Sequence, residues 1–297
     1  MKVAVTGSAG LIGQALISFL NEKVESVLAL DMKEQSYSNH CVRAVKTQCS
    51  YDELRTLFQG YDSVVHLASQ KATRDNEDGG ISAYFSSLAI AENTYKAAVD
   101  AGIKNIISIS SRCVYGTFTE TAFSEEDPTF PINYYGILKI AVEKLSEYYN
   151  RHFGTMIKTL RLSQVISGNM SERNAFSVFY QNAEQNKSLQ LIGKDIRDYI
   201  YIKDVCRAVF CAISSPEKKG IYNIGSGIGR TNKDLAENII NELGSSSEIV
   251  VCETDRKPER IILDCRKAAK DLSFSCCYQE ISDMIRDIRK EKEEAGR

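Results

Sequence analysis

The chain has 297 residues, a formal net charge of −2, 43% hydrophobic and 26% charged residues. That length supports one large domain or two small ones, and the near-neutral balance lacks the basic footprint of a partner for nucleic acid or an anionic membrane. No stretch approaches the roughly 20 apolar residues of a membrane span, and the N-terminus reads as a strand, not a signal peptide.

Nine scattered cysteines without a Cys-x-x-Cys pair read as reduced thiols of a cytoplasmic protein. His40, His66 and His152 lie too far apart in the chain to suggest a metal site, so none is expected.

The first stretch, KVAVTGSAGLIG (2–13), is a short apolar run that ends at Thr6, followed by Gly7, Gly10 and Gly13. From Leu11 to Leu20 apolar residues recur at helical spacing, so the segment reads strand, tight turn, helix. Such a turn aims backbone N–H groups and the positive helix end at an anion, and its glycines admit a pyrophosphate closely. A second apolar run, Val27 to Leu30, ends at Asp31, where a carboxylate would accept from both ribose hydroxyls of a dinucleotide. Asp31 predicts NAD over NADP; Lys33 is the feature that favours NADP.

Further along, Cys41 to Val45 and Ser63 to Leu67 read as strands and Tyr51 to Phe58 as a helix. Arg74 to Gly80 reads as a loop. Ser82 to Ala101 is a predicted long helix, Asn105 to Ile109 a buried strand with Ser110-Ser111 at its end, Ile132 to Phe153 a second long helix, and Met156 to Leu162 a strand. This alternation predicts a doubly wound parallel sheet, an α/β Rossmann-type fold. Gly7, Asp31, Ala68 and Ser111 then share the carboxyl edge, where such sheets bind ligands.

The second half changes character. Short strands at Leu189 to Ile192, Tyr199 to Ile202, Ile221 to Ile224, Ile249 to Cys252 and Ile261 to Leu263 separate helices at Ala175 to Gln185, Lys203 to Ser214 and Thr231 to Leu243. Thr231 with Asp234 is an N-cap signature. The expected organisation is a nucleotide domain over residues 1–165 and a smaller substrate lobe over 166–297, some of whose segments return to the first domain.

Tyr135 and Lys139 are four residues apart on one predicted helix face; the i+4 partner of Tyr134 is Leu138, so the register selects Tyr135. A nearby ammonium would lower the phenol from its ordinary value near 10, letting Tyr135 take a proton from a sugar or alcohol hydroxyl. Ser111 could share the hydrogen bond to the reacting oxygen.

The motifs TGSAGLIG (6–13), VVHLAS (64–69), SISSRCVYG (108–116), YYGILK (134–139) with Glu143, LRLSQVISG (160–168), RDYIYIKDV (197–205) and YNIGSG (222–227) resemble those of the extended short-chain dehydrogenases/reductases, in the NAD-dependent epimerase/dehydratase family acting on nucleotide sugars. The resemblance implies Tyr135 as acid/base, Lys139 as its partner and Ser111 as the substrate-orienting hydroxyl. It implies that Gly7, Gly10, Leu11, Ile12, Gly13, Asp31, Met32, Leu67, Ala68, Ser69, Ser87 and Ser110 line NAD, with Tyr135 and Lys139 also touching it. Gln164, Arg197 and Arg256 would meet the substrate, Arg197 at its diphosphate, with Arg260 an alternative to Arg256. An ion pair from Arg197 to Asp195 or Asp198 is the competing reading.

Dehydratases of this family carry Asp-Glu where this chain has Arg112-Cys113, which argues against 4,6-dehydration. The implied activity is a nucleotide-sugar epimerase. The alternatives are an NAD(P)H-dependent 4-keto-nucleotide-sugar reductase on the same frame, or a non-catalytic dinucleotide-binding protein. The resemblance also implies a homodimer through the two long helices.

Overall fold

The computed structural model describes residues 1–69, 80–117, 120–170 and 174–295. In chain order the strands are β1 (Lys2–Thr6), β2 (Ser26–Asp31), β3 (Val42–Lys46), β4 (Ser63–His66), β5 (Asn105–Ser111), β6 (Met156–Leu162), β7 (Gln164–Ile166), β8 (Leu189–Ile192), β9 (Ile196–Tyr201), β10 (Gly220–Ile224), β11 (Gly229–Thr231), β12 (Ile249–Cys252) and β13 (Arg260–Ile261). The helices are α1 (Leu11–Leu20), α2 (Tyr51–Leu57), α3 (Gly80–Asp100), α4 (Tyr134–His152), α5 (Ala175–Glu184), α6 (Ile202–Ile213), α7 (Asn232–Leu243), α8 (Arg266–Leu272) and α9 (Ile281–Ala295).

Seven strands form one sheet in the order β10-β6-β5-β4-β1-β2-β3, and every neighbouring pair runs parallel. Strands such as VVH and NIISISS are buried along their length because helices cover both faces. On one face Leu16, Ile17 and Leu20 of α1 pack with Val205, Val209 and Ile213 of α6. On the other, Leu54, Ala91, Tyr95, Leu138 and Val142 of α2, α3 and α4 close the second layer. This is the doubly wound sheet that the alternation predicts, with the carboxyl ends of β1, β2, β4 and β5 side by side.

The edge strand β10 comes from the second half of the chain and pairs with β6 from Gly220↔Lys158 to Ile224↔Leu162. From that half α6 and α8 also pack on the large sheet, while α5, α7 and α9 build a lobe on its own core, in which Phe176, Tyr180, Leu235, Ile239, Ile285 and Ile288 pack on β7, β8 and β9. β9 is its centre: its first half pairs with β11 and β13, its second half with β7.

β7 and β11 have no counterpart in the sequence-based elements. They are three residues long, too short for an alternation to register, and exist because β9 supplies the ladder. β9 also starts at Ile196, three residues before the predicted strand. Gly80 opens α3; the rest of the loop expected at 74–80 lies outside the described residues. Among the described residues no helix is long and apolar enough to cross a membrane.

Candidate active site

The glycine turn is shaped by backbone contact. Gly7 has φ of 75°, and a Cβ there would lie 2.6 Å from the backbone nitrogen of Ala68 at the end of β4. A Cβ on Gly13 would run into the Gly7 carbonyl oxygen. The turn is therefore wedged against β4 and α1 is seated on the turn, which only residues without a side chain allow. Leu11 and Ile12 open α1, half-buried.

Beyond the turn lies a cleft of about 150 Å³ lined by Gly7, Gly10, Asp31, Met32, Leu67, Ala68 and Ser69, all expected from sequence to line the dinucleotide, by Gln48 and Cys49 of the segment TQCS (47–50), where the resemblance puts the adenine, and by Ile90. Asp31 is fixed at its rim: the carboxylate accepts from the Ala9 N–H at 3.0 Å and the Lys33 N–H at 2.9 Å. Cys49 sits at φ 56°; burial and the Asp31 charge push its thiol up to about 12, so it is an apolar wall rather than a nucleophile. Ser87 of α3 is buried, its hydroxyl 3.5 Å from that of Ser69. A cradle of bare backbone, with a carboxylate one strand away, fits the diphosphate and ribose of a dinucleotide.

Ser111 is the last residue of β5. Its hydroxyl accepts the Cys113 N–H at 3.2 Å, which opens a 3-10 turn over Arg112–Val114, and it is near enough to the Tyr135 phenol to pull its pKa down. Tyr135 lies in the first turn of α4, whose N-cap Asn133 accepts the Gly136 N–H at 2.8 Å. A Cβ on Gly136 would come within 2.5 Å of the Cys113 carbonyl, so a bare residue lets α4 start flush against the 3-10 turn. Tyr134 turns outward, half-exposed and stacked on Tyr84. The helical register thus selects Tyr135.

The electrostatics differ from the sequence expectation. Burial pushes the Tyr135 phenol well above its ordinary value of 10.0 and the neighbouring Cys113 adds to this, while the Ser111 hydroxyl and the Arg112 charge pull it down. Lys139 lies 5.5 Å from the Tyr135 ring centroid, but its ammonium donates to the Ile109 carbonyl at 2.8 Å. Burial lowers Lys139 itself to about 8, against the pull of Glu143. Arg112 is thus a second cation beside the phenol, in addition to Lys139.

Ser110 faces the other way. It is 2% exposed, and its hydroxyl donates to Glu143 Oε1 at 2.5 Å. Glu143 also takes Arg161 in a two-pronged contact, Nε at 2.9 Å and Nη2 at 2.7 Å. Arg161 donates to the Tyr115 hydroxyl at 2.7 Å, and Tyr115 to Asn223 Oδ1 at 2.7 Å. This buried chain ties α4 to β5, β6 and β10 and holds the helix that carries Tyr135. Sequence reading quoted Glu143 with its motif but gave it no role; the buried Arg161 in the strand LRL was the available signal.

On the lobe side Arg197 and Arg256 converge on two carboxylates. Arg197 reaches Asp195 at 2.9 Å and Glu259 at 2.8 Å, and Arg256 reaches the same two at 2.6 and 3.1 Å. Of the two partners weighed for Arg197, Asp195 is the one taken. Asp198 instead accepts the backbone N–H groups of Ser226, Gly227 and Leu263, and burial raises it to about 6. Arg260 is directed to the Thr121 carbonyl at 3.4 Å. Gln164 of β7 accepts from Arg112 at 3.0 Å. Among the described residues the buried Arg197 Nε and Tyr199 hydroxyl have no hydrogen-bond partner.

A doubly wound sheet with a glycine turn at β1, an acid at the end of β2 and a Ser-Tyr-Lys group at β5 and α4 defines a dinucleotide-dependent enzyme class. The sequence profile of the NAD dependent epimerase/dehydratase family matches residues 3–225, and the chain belongs to that family. It is 27% identical to the low-salt glycan biosynthesis protein Agl12 of Haloferax volcanii, over 90% of this chain and 91% of that one. It is 25% identical to the UDP-glucose 4-epimerase of Halalkalibacterium halodurans, over 96% and 93%. The crystal structure of UDP-N-acetylglucosamine 4-epimerase from Bacillus cereus superposes with a TM-score of 0.87 at 26% identity, covering 97% of this chain and 95% of that one.

Proposed function

We propose that the protein is a nucleotide-sugar epimerase that holds NAD and works by transient oxidation of the sugar to a keto-sugar. The observation that carries this reading is the seating of α4, with Tyr135 in its first turn, against the turn that follows Ser111, on the same carboxyl edge of the sheet as the glycine cradle. Gly7, Gly10 and Gly13, with Leu11 and Ile12 at the start of α1, hold the diphosphate, and Asp31 with Met32 the adenosine side. Leu67, Ala68, Ser69 and Ser87 wall the cleft, and Ser110 contributes only backbone, since its hydroxyl is committed to Glu143. Bound NAD supplies a two-electron acceptor that also returns the electrons, so none is consumed.

Ser111 orients the reacting sugar hydroxyl, and Tyr135 takes its proton and gives it back after the ring has turned. Lys139 exchanges its Ile109 carbonyl for a ribose hydroxyl. Arg197 and Arg256 trade their shared carboxylates for the substrate diphosphate, and Gln164 contacts the sugar. A guanidinium that already binds planar carboxylates suits phosphate oxygens equally.

The test begins with protein purified without added cofactor. Denaturation should release NAD, and UDP-, dTDP-, GDP- or CDP-sugars should give an epimer without net NADH or NADPH consumption. Tyr135→Phe should lower turnover by roughly 10²–10⁴-fold with the fold intact by circular dichroism. Stoichiometric oxidation of NADH or NADPH by a keto-sugar would overturn the epimerase in favour of the reductase. The exposed Phe85, Ile137 and Tyr148 on the paired helices α3 and α4 support a homodimer, for which light scattering on the same preparation should give twice the chain mass.

A further inference from the structure

Arg112 begins the turn that follows Ser111, and its side chain is partly exposed. Its hydrogen-bond partner is the Gln164 amide, and among the described residues it makes no ion pair. An arginine can only donate, so Gln164 must present Oε1 to it and keep both amide hydrogens for something else. Tyr199 stands opposite Gln164 in the β7–β9 register and is 2% exposed, with a hydroxyl that has no partner among the described residues. Burial raises that phenol, the charges of Arg197 and Arg112 pull it down and Asp195 opposes them, and Arg112 acts on Tyr135 as well. The corner therefore presents a guanidinium, an amide NH2 and an orphan phenol O–H, with the buried Arg197 Nε–H nearby. It offers donors and positive charge, and its nearest carboxylate, Asp195, is already engaged by Arg197 and Arg256. A buried donor left without an acceptor is costly, so such a corner is complementary to a ligand that brings negative oxygens.

Arg197 and Arg256 form a separate, charge-balanced cluster with Asp195 and Glu259, proposed above for the diphosphate. Arg112 lies instead beside Ser111 and Tyr135, where the sugar reacts. We propose that Arg112, braced by Gln164 and facing Tyr199, is a specificity-determining residue that selects a sugar carrying a carboxylate, so that the preferred hexose is a hexuronate. This rests on the epimerase reading for the position of the sugar.

The experiment uses pairs of UDP-, dTDP- and GDP-linked hexoses that differ only in a C6 hydroxymethyl or carboxylate. Equilibrium binding is measured on the full chain carrying Tyr135→Phe, and turnover on the wild type. The carboxylated member of at least one pair should bind roughly 10–100-fold tighter, the range of a charge-assisted hydrogen bond. Adding Arg112→Gln should erase that preference, and Arg112→Lys should restore part of it. In turnover, the loss in Arg112→Gln should fall mainly on the KM of the uronate. Equal or weaker binding of the uronate in every pair, absence of binding included, overturns the proposal, as does a preference that survives Arg112→Gln. Carboxylate preference without epimer formation sinks the epimerase reading and leaves this one. Epimer formation from both members with equal kcat/KM does the reverse.

Discussion

The two sides of the site are made of different materials. The dinucleotide side is backbone: a turn wedged against Ala68, a helix seated on Gly7, and a carboxylate fixed by two peptide N–H groups. The side proposed for the sugar is side chain: two arginines sharing two carboxylates, a third arginine on an amide, and buried donors without acceptors among the described residues. Backbone shape is complete before any ligand arrives. The charged side is balanced only provisionally, because each arginine has a partner that a ligand anion can replace. A cofactor that stays bound suits the first kind of surface, and a substrate that comes and goes suits the second.

The largest effect on stability should come from what joins the two sides. Glu143→Ala leaves the buried Arg161 without its carboxylate, and urea denaturation should show a loss of ~3–5 kcal/mol. A loss below ~1 kcal/mol would mean that α4 is held by packing alone.

Gly7→Ala tests the backbone side. The new methyl meets Ala68 at a left-handed φ of 75°, so a cost of ~1–3 kcal/mol is expected together with loss of co-purified dinucleotide. Retention of dinucleotide at the wild-type level would break the comparison.

Acid should also find the sheet. His66, at the end of β4, is held neutral by burial and by the Lys139 charge, lowered from 6.5 to about 3. Between those values the unfolded chain binds a proton that the folded chain refuses, so stability falls as pH drops from 6.5 towards 3. The slope approaches ~1.4 kcal/mol per pH unit for this one group. His66→Gln should flatten that part of a stability-versus-pH curve, and an unchanged slope would assign the acid sensitivity elsewhere.

The smallest change in stability belongs to Arg256→Ala. Arg256 is 41% exposed, so less than ~1 kcal/mol should be lost, while KM for the nucleotide sugar rises. A large drop in stability with KM unchanged would make the cluster a structural tie.

The sequence by itself determined what is local. The strand, glycine turn and helix of residues 2–20 follow from periodicity and from turn geometry that few residues satisfy. The Thr231–Asp234 capping box is present as read, and the i to i+4 register alone separates Tyr135 from Tyr134. Only the tertiary structure decided which charges meet. Arg256 finds Asp195 across 61 residues of chain, β10 returns to the sheet beside β6, β7 and β11 exist because β9 pairs with them, and Arg112 turns to Gln164. Helical and strand periods and steric turns are set within a few residues of backbone. An ion pair or a short edge strand is set by whatever the completed fold brings alongside it.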